Sequence, residues 1–325
     1  MSGGASQSEP PLSGGASERE PPPVSRTGPT SLFRFVQVEL PWSLGPPDGR
    51  YLVREPGSLV QRSGPPAAGA PDPAPAPPTH VIVLATLGAS RRRGPLGRRS
   101  RRAEPEPAPG PVQVCRATLI DAEPLPGAQA ARSWLRSAGE RELEAGIRVL
   151  NRALQAYRIA SYDPWLRTFA RGQAIAARVG FGEGEQVADG DWAEARELVA
   201  PPPPRSRRRR LAPQARLAAT LAGRVNALAC EELALRARLD LEEGRNREAA
   251  LQLLAALDAA LAELPADPAA DVLAGRVDEL HALREGVAEA AAGALSGDGS
   301  GGETIVAGAL GRLEAALRAR AALTG

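Results

Sequence analysis

The sequence predicts an α+β domain of short antiparallel strands with a packed helix, followed by an all-α helical bundle or hairpin domain. Three observations carry that expectation. All eleven aromatic residues of the 325-residue chain fall between Phe33 and Trp192, so the last 133 residues must build a core without rings. Of the 32 prolines, 24 lie at or before Pro126 and cut the front of the chain into short segments. Beyond residue 212 the apolar residues are mostly Leu and Ala at spacings of three and four, the period of a helix. Charge divides the chain in the same place. Residues 1–211 carry 29 Arg and 21 Asp/Glu, net +8, and residues 212–325 carry 11 and 17, net −6, which together give the overall +2.

A hydrophobic content of 43% is enough for a core, but 34 Gly and 32 Pro make up about a fifth of the chain, against roughly 12% in average usage. Residues 1–31 are therefore read as a disordered tail, built on the decamer SGGASQSEPP (2–11) and its near copy SGGASEREPP (13–22). An α+β domain is expected over 32–200, with disordered insertions near 55–78 and 88–111. A Pro/Arg-rich linker over 201–211 leads to a helical domain over 212–325.

Four strands are expected at 31–40, 51–54, 80–87 and 112–120, short runs of β-branched and aromatic residues bounded by Gly and Pro. In the first, Phe33 and Phe35 share one face while Leu32, Val36 and Val38 share the other, so neither side is cleanly polar and a helix covering one face would suit it. Leu143, Ile147, Leu150, Leu154 and Tyr157, spaced 4, 3, 4 and 3, supply it over 140–159, behind a shorter helix around 128–137. The Gly-rich GFGEGE is read as a hairpin turn between 174–181 and 186–188. It is not read as a phosphate loop, because Glu183 and Glu185 would repel an anion. Asp189 and Asp191 lack the further ligands of a calcium loop and read as solvated turn residues.

In the last third, Leu217, Leu221, Val225, Leu228, Leu235 and Leu239 are expected to line one face of a first helix. Ala250, Leu254, Leu257, Leu261 and Leu264 mark a second, stopped by Pro265 and Pro268. Leu273, Val277, Leu280 and Val287 mark a third, and Val306, Leu310, Leu313 and Leu317 a fourth. Stripes of this kind bury themselves against one another in an antiparallel arrangement. Around Gly244, Arg245, Glu248 and Ala249 the segment resembles the inter-helix turn of a tetratricopeptide repeat, which implies a role in protein interaction. No second copy stands at a 34-residue period, so an ordinary helical hairpin stays open.

Residues that could carry chemistry are few. Two cysteines, Cys115 and Cys230, suit a reducing, cytoplasmic setting and build neither a disulfide framework nor a four-ligand zinc site. The N-terminal segment has no signal-peptide core, and no apolar run approaches the roughly 20 residues of a membrane span. His80 and Cys115 sit on strands that could pair, which would allow a thiolate dyad, although a core Cys and a strand-end His are the commoner arrangement. Cys230 reads as core and His281 as a surface residue. No catalytic residue, metal ligand or cofactor is expected.

The arginine tracts are the sharpest feature. The chain has no lysine, and seven arginines (Arg91, Arg92, Arg93, Arg98, Arg99, Arg101, Arg102) and five more (Arg205, Arg207, Arg208, Arg209, Arg210) are packed into two short segments. Without those twelve the net charge would fall from +2 to −10. Guanidinium clusters of this density suit phosphates or acidic surfaces, and they equally serve as solubilising loops in a lysine-free chain. Neither tract contains an aromatic residue, so base stacking is not expected within them.

FVQVELPWSLGPPDGRYLVR (35–54), RVGFGEGEQVADGDWAEARELVAP (178–201) and ALACEELALRARLDLEEGRNREAALQLLAAL (227–257) together resemble an uncharacterised protein type of high-GC bacteria, with a strand-rich front half and a helical tail. The resemblance covers most of 32–264 and implies no activity, ligand or site residue. The expected function is that of a non-enzymatic cytoplasmic adaptor whose helical domain takes another protein. An accessory nucleic-acid-binding protein, acting through the two tracts without sequence preference, is the alternative. The sequence carries no signal of oligomeric state.

Overall fold

A computed structural model describes residues 31–54, 77–88, 113–199, 213–297 and 302–324. The N-terminal tail, most of both insertions and the linker, with all twelve tract arginines, lie outside the described residues.

The front half is an antiparallel sheet of six strands, β1 (Leu32–Leu40), β2 (Gly49–Val53), β3 (His80–Leu87), β4 (Val114–Leu125), β5 (Ala176–Glu183) and β6 (Glu194–Glu197), in the order β2-β3-β4-β1-β5-β6. Two helices, α1 (Ala128–Ser137) and α2 (Glu140–Ser161), follow β4 and cover one face. The stripe Leu143, Ile147, Leu150 and Leu154 is buried there, against Val36, Val38 and Leu40 of β1 and Ala177 and Val179 of β5. Close approach is built in at Gly146, where a Cβ would stand 2.9 Å from Val36 Cβ. The first turn of α2 is capped by Glu142, whose carboxylate accepts the Gly139 N–H at 2.7 Å.

Two differences from the sequence reading concern the GFGEGE segment. Gly180 and Gly182 lie within β5 rather than in a turn, and the returning strand is 194–197, not 186–188. Both glycines serve packing: a Cβ on Gly180 would stand 2.6 Å from the Glu194 carbonyl oxygen and from Phe35, and one on Gly182 would stand 2.6 Å from Val187. Residues 184–189 form a short 3-10 turn that folds back over the second face of the sheet and buries Val187 and Ala188. That face also keeps polar side chains. Gln37 and Thr118, both fully buried, are hydrogen-bonded to each other at 3.0 Å, and Glu39 accepts from Arg116 and Arg178 at 3.0 and 2.9 Å. Trp192 closes the edge, 5.7 Å from Phe35 between ring centroids. Phe33 and Phe35 are thus served by a backbone turn and a tryptophan instead of a second helix.

The back of the chain is helical, with α3 (Pro213–Leu221), α4 (Ala229–Glu242), α5 (Asn246–Glu263), α6 (Ala270–Ser296) and α7 (Gly302–Thr324). Its core shares no residue with those of the sheet domain. Leu257 and Leu264 on α5 and the turn after it, Leu273, Leu280 and Val287 on α6, and Val306, Leu310 and Leu313 on α7 are buried as the stripes predict. The first stripe is not. The expected single helix breaks at 222–228, where Gly223 takes a φ of +68°, and Leu217, Leu221, Leu235 and Leu239 all stay exposed. On α4 the face that packs consists of Cys230, Ala234 and Ala237, small side chains that let α5 come close with Ala249, Ala250 and Ala256. α4 and α5 do form an antiparallel hairpin, turned at Gly244 with φ +72°.

Among the described residues one segment, Asn246–Ala266, is long and apolar enough to cross a membrane by length and composition. It is the central helix of this core, packed against α4, α6 and α7.

Candidate functional site

The two ends of the sheet differ in what they gather. At one end stand the last residues of β1 and β3 and the first of β4 and β5, because Leu40 pairs with Cys115, Leu87 with Val114, and Glu39 with Ala176. β6 also finishes here, with Glu197 opposite Arg178. The chain leaves the described residues at Gly88, returns at Gln113 and leaves again after Val199, all at this one end.

Those exits carry the arginines. Arg91 follows Gly88 by three residues and Arg205 follows Val199 by six. Adjacent strands are about 4.8 Å apart, so β3 and β6, four steps from each other, lie about 19 Å apart. The described residues that precede the two tracts in the sequence, Gly88 and Val199, therefore stand at one end of the sheet. The tract arginines themselves lie outside the described residues.

The same end holds the loop that runs from α2 into β5, residues 162–175, which displays aromatic rings. Tyr162 is 92% exposed and Trp165 79% exposed. Trp42, in the adjoining 41–48 loop, is exposed as well. Around the rings the loop is firmly held. Asn151, fully buried on α2, grips the Phe169 peptide from both sides, donating to its carbonyl at 2.9 Å and accepting its N–H at 3.1 Å. Leu166 and Phe169 are buried, and Leu166 packs so tightly on the 41–48 loop that a Cβ on Gly45 would stand 2.5 Å from its Cδ1. Asp163 accepts the Trp165 N–H at 2.9 Å, and Arg171 donates to the Leu198 carbonyl, joining the loop to the end of β6.

Tyr162 takes φ +51°, the only positive φ outside glycine among the described residues. It ends α2 at the position where glycine is usual, at a cost of order 1 kcal/mol for a side chain with a Cβ. The ring it presents is almost wholly exposed among the described residues. Two exposed arginines, Arg158 and Arg167, lie on the same stretch and form no ion pair among the described residues. With Asp163 they give 158–167 a net charge of +1.

At the opposite end is a cleft of about 660 Å³ beside the α4–α5 turn, lined by groups of both signs that include Arg34, His80, Asp121, Arg148, Glu242 and Glu243. Glu243 reaches across to Asn151 at 2.7 Å, and burial holds its carboxyl above the usual carboxylate range. His80 is paired with Asp121, whereas Cys115 is paired with Thr86. Six strand positions, about 20 Å, separate His80 from Cys115, so they form no dyad. Burial pushes both thiols up, Cys115 in the sheet and Cys230 beside Glu263. Asp189, Asp191 and His281 are exposed, and among the described residues no three His, Cys, Asp or Glu side chains are grouped to hold a metal.

The sequence singles out the tract arginines and gives little sign of Tyr162 and Trp165. The signal available was slight: in YDPW, Pro164 forbids helix continuation and the neighbours offer no apolar stripe to bury the rings. Comparison with protein-family models, curated proteins and solved structures finds no match to this chain.

Proposed function

We propose that the protein binds nucleic acid without sequence preference, through the end of the sheet that carries the aromatic loop. One observation supports this above the rest: the exits of both arginine tracts and the exposed rings of Tyr162 and Trp165 share that end. A concentration of guanidinium groups attracts a phosphate backbone over distances near the Debye length, about 8 Å at physiological salt. The test is fluorescence-anisotropy titration of labelled 15-residue oligonucleotides between 50 and 200 mM salt. If about six tract arginines meet phosphates, log affinity falls against log salt with a slope of about −4 for single strands and −5 for duplex. Glutamine in place of the five arginines from Arg205 to Arg210 flattens the slope. Absence of binding at 50 mM salt contradicts the proposal.

A second reading, an adaptor that takes another protein on its helical domain, rests on the leucines left outside the core. Leu221 is 79% exposed and Leu235 68% exposed, and α3 buries none of its residues. A nine-residue helix is marginal in water unless packed, so this face is where a protein partner would sit. Leu235→Asp removes capture of a partner by the full chain and leaves oligonucleotide affinity unchanged if the two surfaces are separate.

A further inference from the structure

We infer that Tyr162 and Trp165 form a stacking platform for unpaired nucleobases, so that the ligand of this surface is single-stranded nucleic acid. The inference rests on the nucleic-acid reading above and narrows it to a substrate class. The platform itself consists of described residues.

Base stacking needs flat rings that are free on a face, held on a rigid support, and close to cations that take the neighbouring phosphates. Each condition is met between Asn151 and Phe169. The rings are almost wholly exposed, although Trp and Tyr are the side chains that gain most from burial. Their loop is anchored by the Asn151 clamp on Phe169, by buried Leu166 and by the Asp163 turn, so little order remains to be acquired on binding. Arg158 precedes the rings and Arg167 follows them, both exposed and without a carboxylate partner among the described residues. Asp163, the one acid of the stretch, is occupied by the Trp165 N–H.

Tyr162 adds an independent observation. Glycine fits the left-handed end of α2 without strain, whereas tyrosine fits it at a cost and buries almost nothing in return. Among the described residues that ring has no packing partner that offsets the cost, which fits a contact supplied by a ligand. A duplex cannot use it, because paired bases stack on one another and present only backbone and groove edges. Bases of a single strand have free faces, and every base has one, which matches an absence of sequence preference.

The experiment compares a 15-residue thymidine oligonucleotide with a 15-base-pair duplex at 50 mM salt, using the full chain and the variant Tyr162→Leu with Trp165→Leu. Both positions are exposed, and circular dichroism checks that the fold is kept. The full chain should prefer the single strand at least tenfold. The double variant should lose about tenfold to a hundredfold in single-strand affinity, with duplex affinity, carried by arginines, unchanged. Tyr162→Phe with Trp165→Phe, which keeps the ring faces, should retain the preference. An unchanged ratio in the leucine variant overturns the platform while leaving nucleic-acid binding intact, and it is the result expected if the rings dock a protein. Binding to neither oligonucleotide overturns both readings.

Discussion

The two halves of this chain solve the same packing problem with different residues. In the sheet domain aromatic rings and glycines are complementary: Phe35 fits against Gly180, and α2 approaches β1 at Gly146. On the second face of the sheet buried polar side chains satisfy one another in a network of Gln37, Thr118, Glu39, Arg116 and Arg178. The helical domain has no rings and packs Leu against Ala, with its ends tied by charges. Arg320 on α7, 3% exposed, bonds Asp267 at 2.6 Å, Glu231 at 3.2 Å and the Asn226 carbonyl at 3.2 Å, while Glu263 accepts the Ala229 and Cys230 N–H groups that open α4. A core made only of aliphatics has no directional contact to fix where a helix starts, and the buried arginine supplies one. Two of the largest rings of the sheet domain, Tyr162 and Trp165, stay in solvent.

This contrast can be broken most sharply at Arg320. Arg320→Ala strands Asp267 as an uncompensated buried charge and should cost the helical domain about 3–5 kcal/mol. Far-UV circular dichroism, dominated by helix, should show the loss. Tryptophan fluorescence should not, since all four tryptophans lie at or before Trp192. Parallel loss in both signals would make the halves one cooperative unit.

Acid acts on both halves, with a sign fixed by their arginines and by the N-terminus of α4. Burial alone would raise Glu39, Glu263, Asp267 and Glu314. Hydrogen bonds from Arg178 and Arg116, from the α4 N-terminus, from Arg320 and from Arg238 outweigh it and hold each below the usual range. Their stabilising contribution is present above the unfolded carboxylate values and is lost as pH falls through the depressed ones, from about pH 4 downward. Glu243 runs the other way. Its value is raised, so its contribution is present at acid pH and is lost as pH rises through that value. Urea midpoints at pH 3, 5 and 7 should therefore rise for the fold as a whole, and Glu243→Gln should remove only the small opposing component.

Smaller effects sharpen the sheet side. Asn151→Ala leaves the Phe169 peptide group without partners and should cost about 1–3 kcal/mol. Gly180→Ala sets a methyl 2.6 Å from the Glu194 carbonyl oxygen and should cost a similar amount, about 1–3 kcal/mol. Smallest and opposite in sign, Tyr162→Gly should relieve backbone strain and stabilise the sheet domain by up to about 1 kcal/mol while weakening single-strand affinity. Thermal melts paired with binding titrations check all three.

Much of the fold was legible because it rests on local patterns. The α2 stripe from Leu143 to Leu154 and the repeats of α5, α6 and α7 are set by helix period, and the first four strands by runs of β-branched residues between breakers. Illegible features depended on distant partners. GFGEGE has a turn's composition, but its glycines answer to Phe35 and Val187, far away in sequence. Leu235 and Leu239 keep helical spacing, yet small side chains on the opposite side of α4 pack better against α5. The candidate site was half legible: the arginines stand out in composition, whereas strand pairing alone shows that the strands preceding them finish at one end of the sheet. Tyr162 and Trp165 attract notice only once their exposure is known.

Photocrosslinking tests the central claim most directly. A thymidine oligonucleotide carrying 5-iodouracil, bound to the full chain at 50 mM salt, is irradiated and the adducts are mapped by mass spectrometry. The account predicts adducts at Trp165 and Tyr162. Adducts confined to the helical domain, with the 162–175 loop unlabelled, would contradict it.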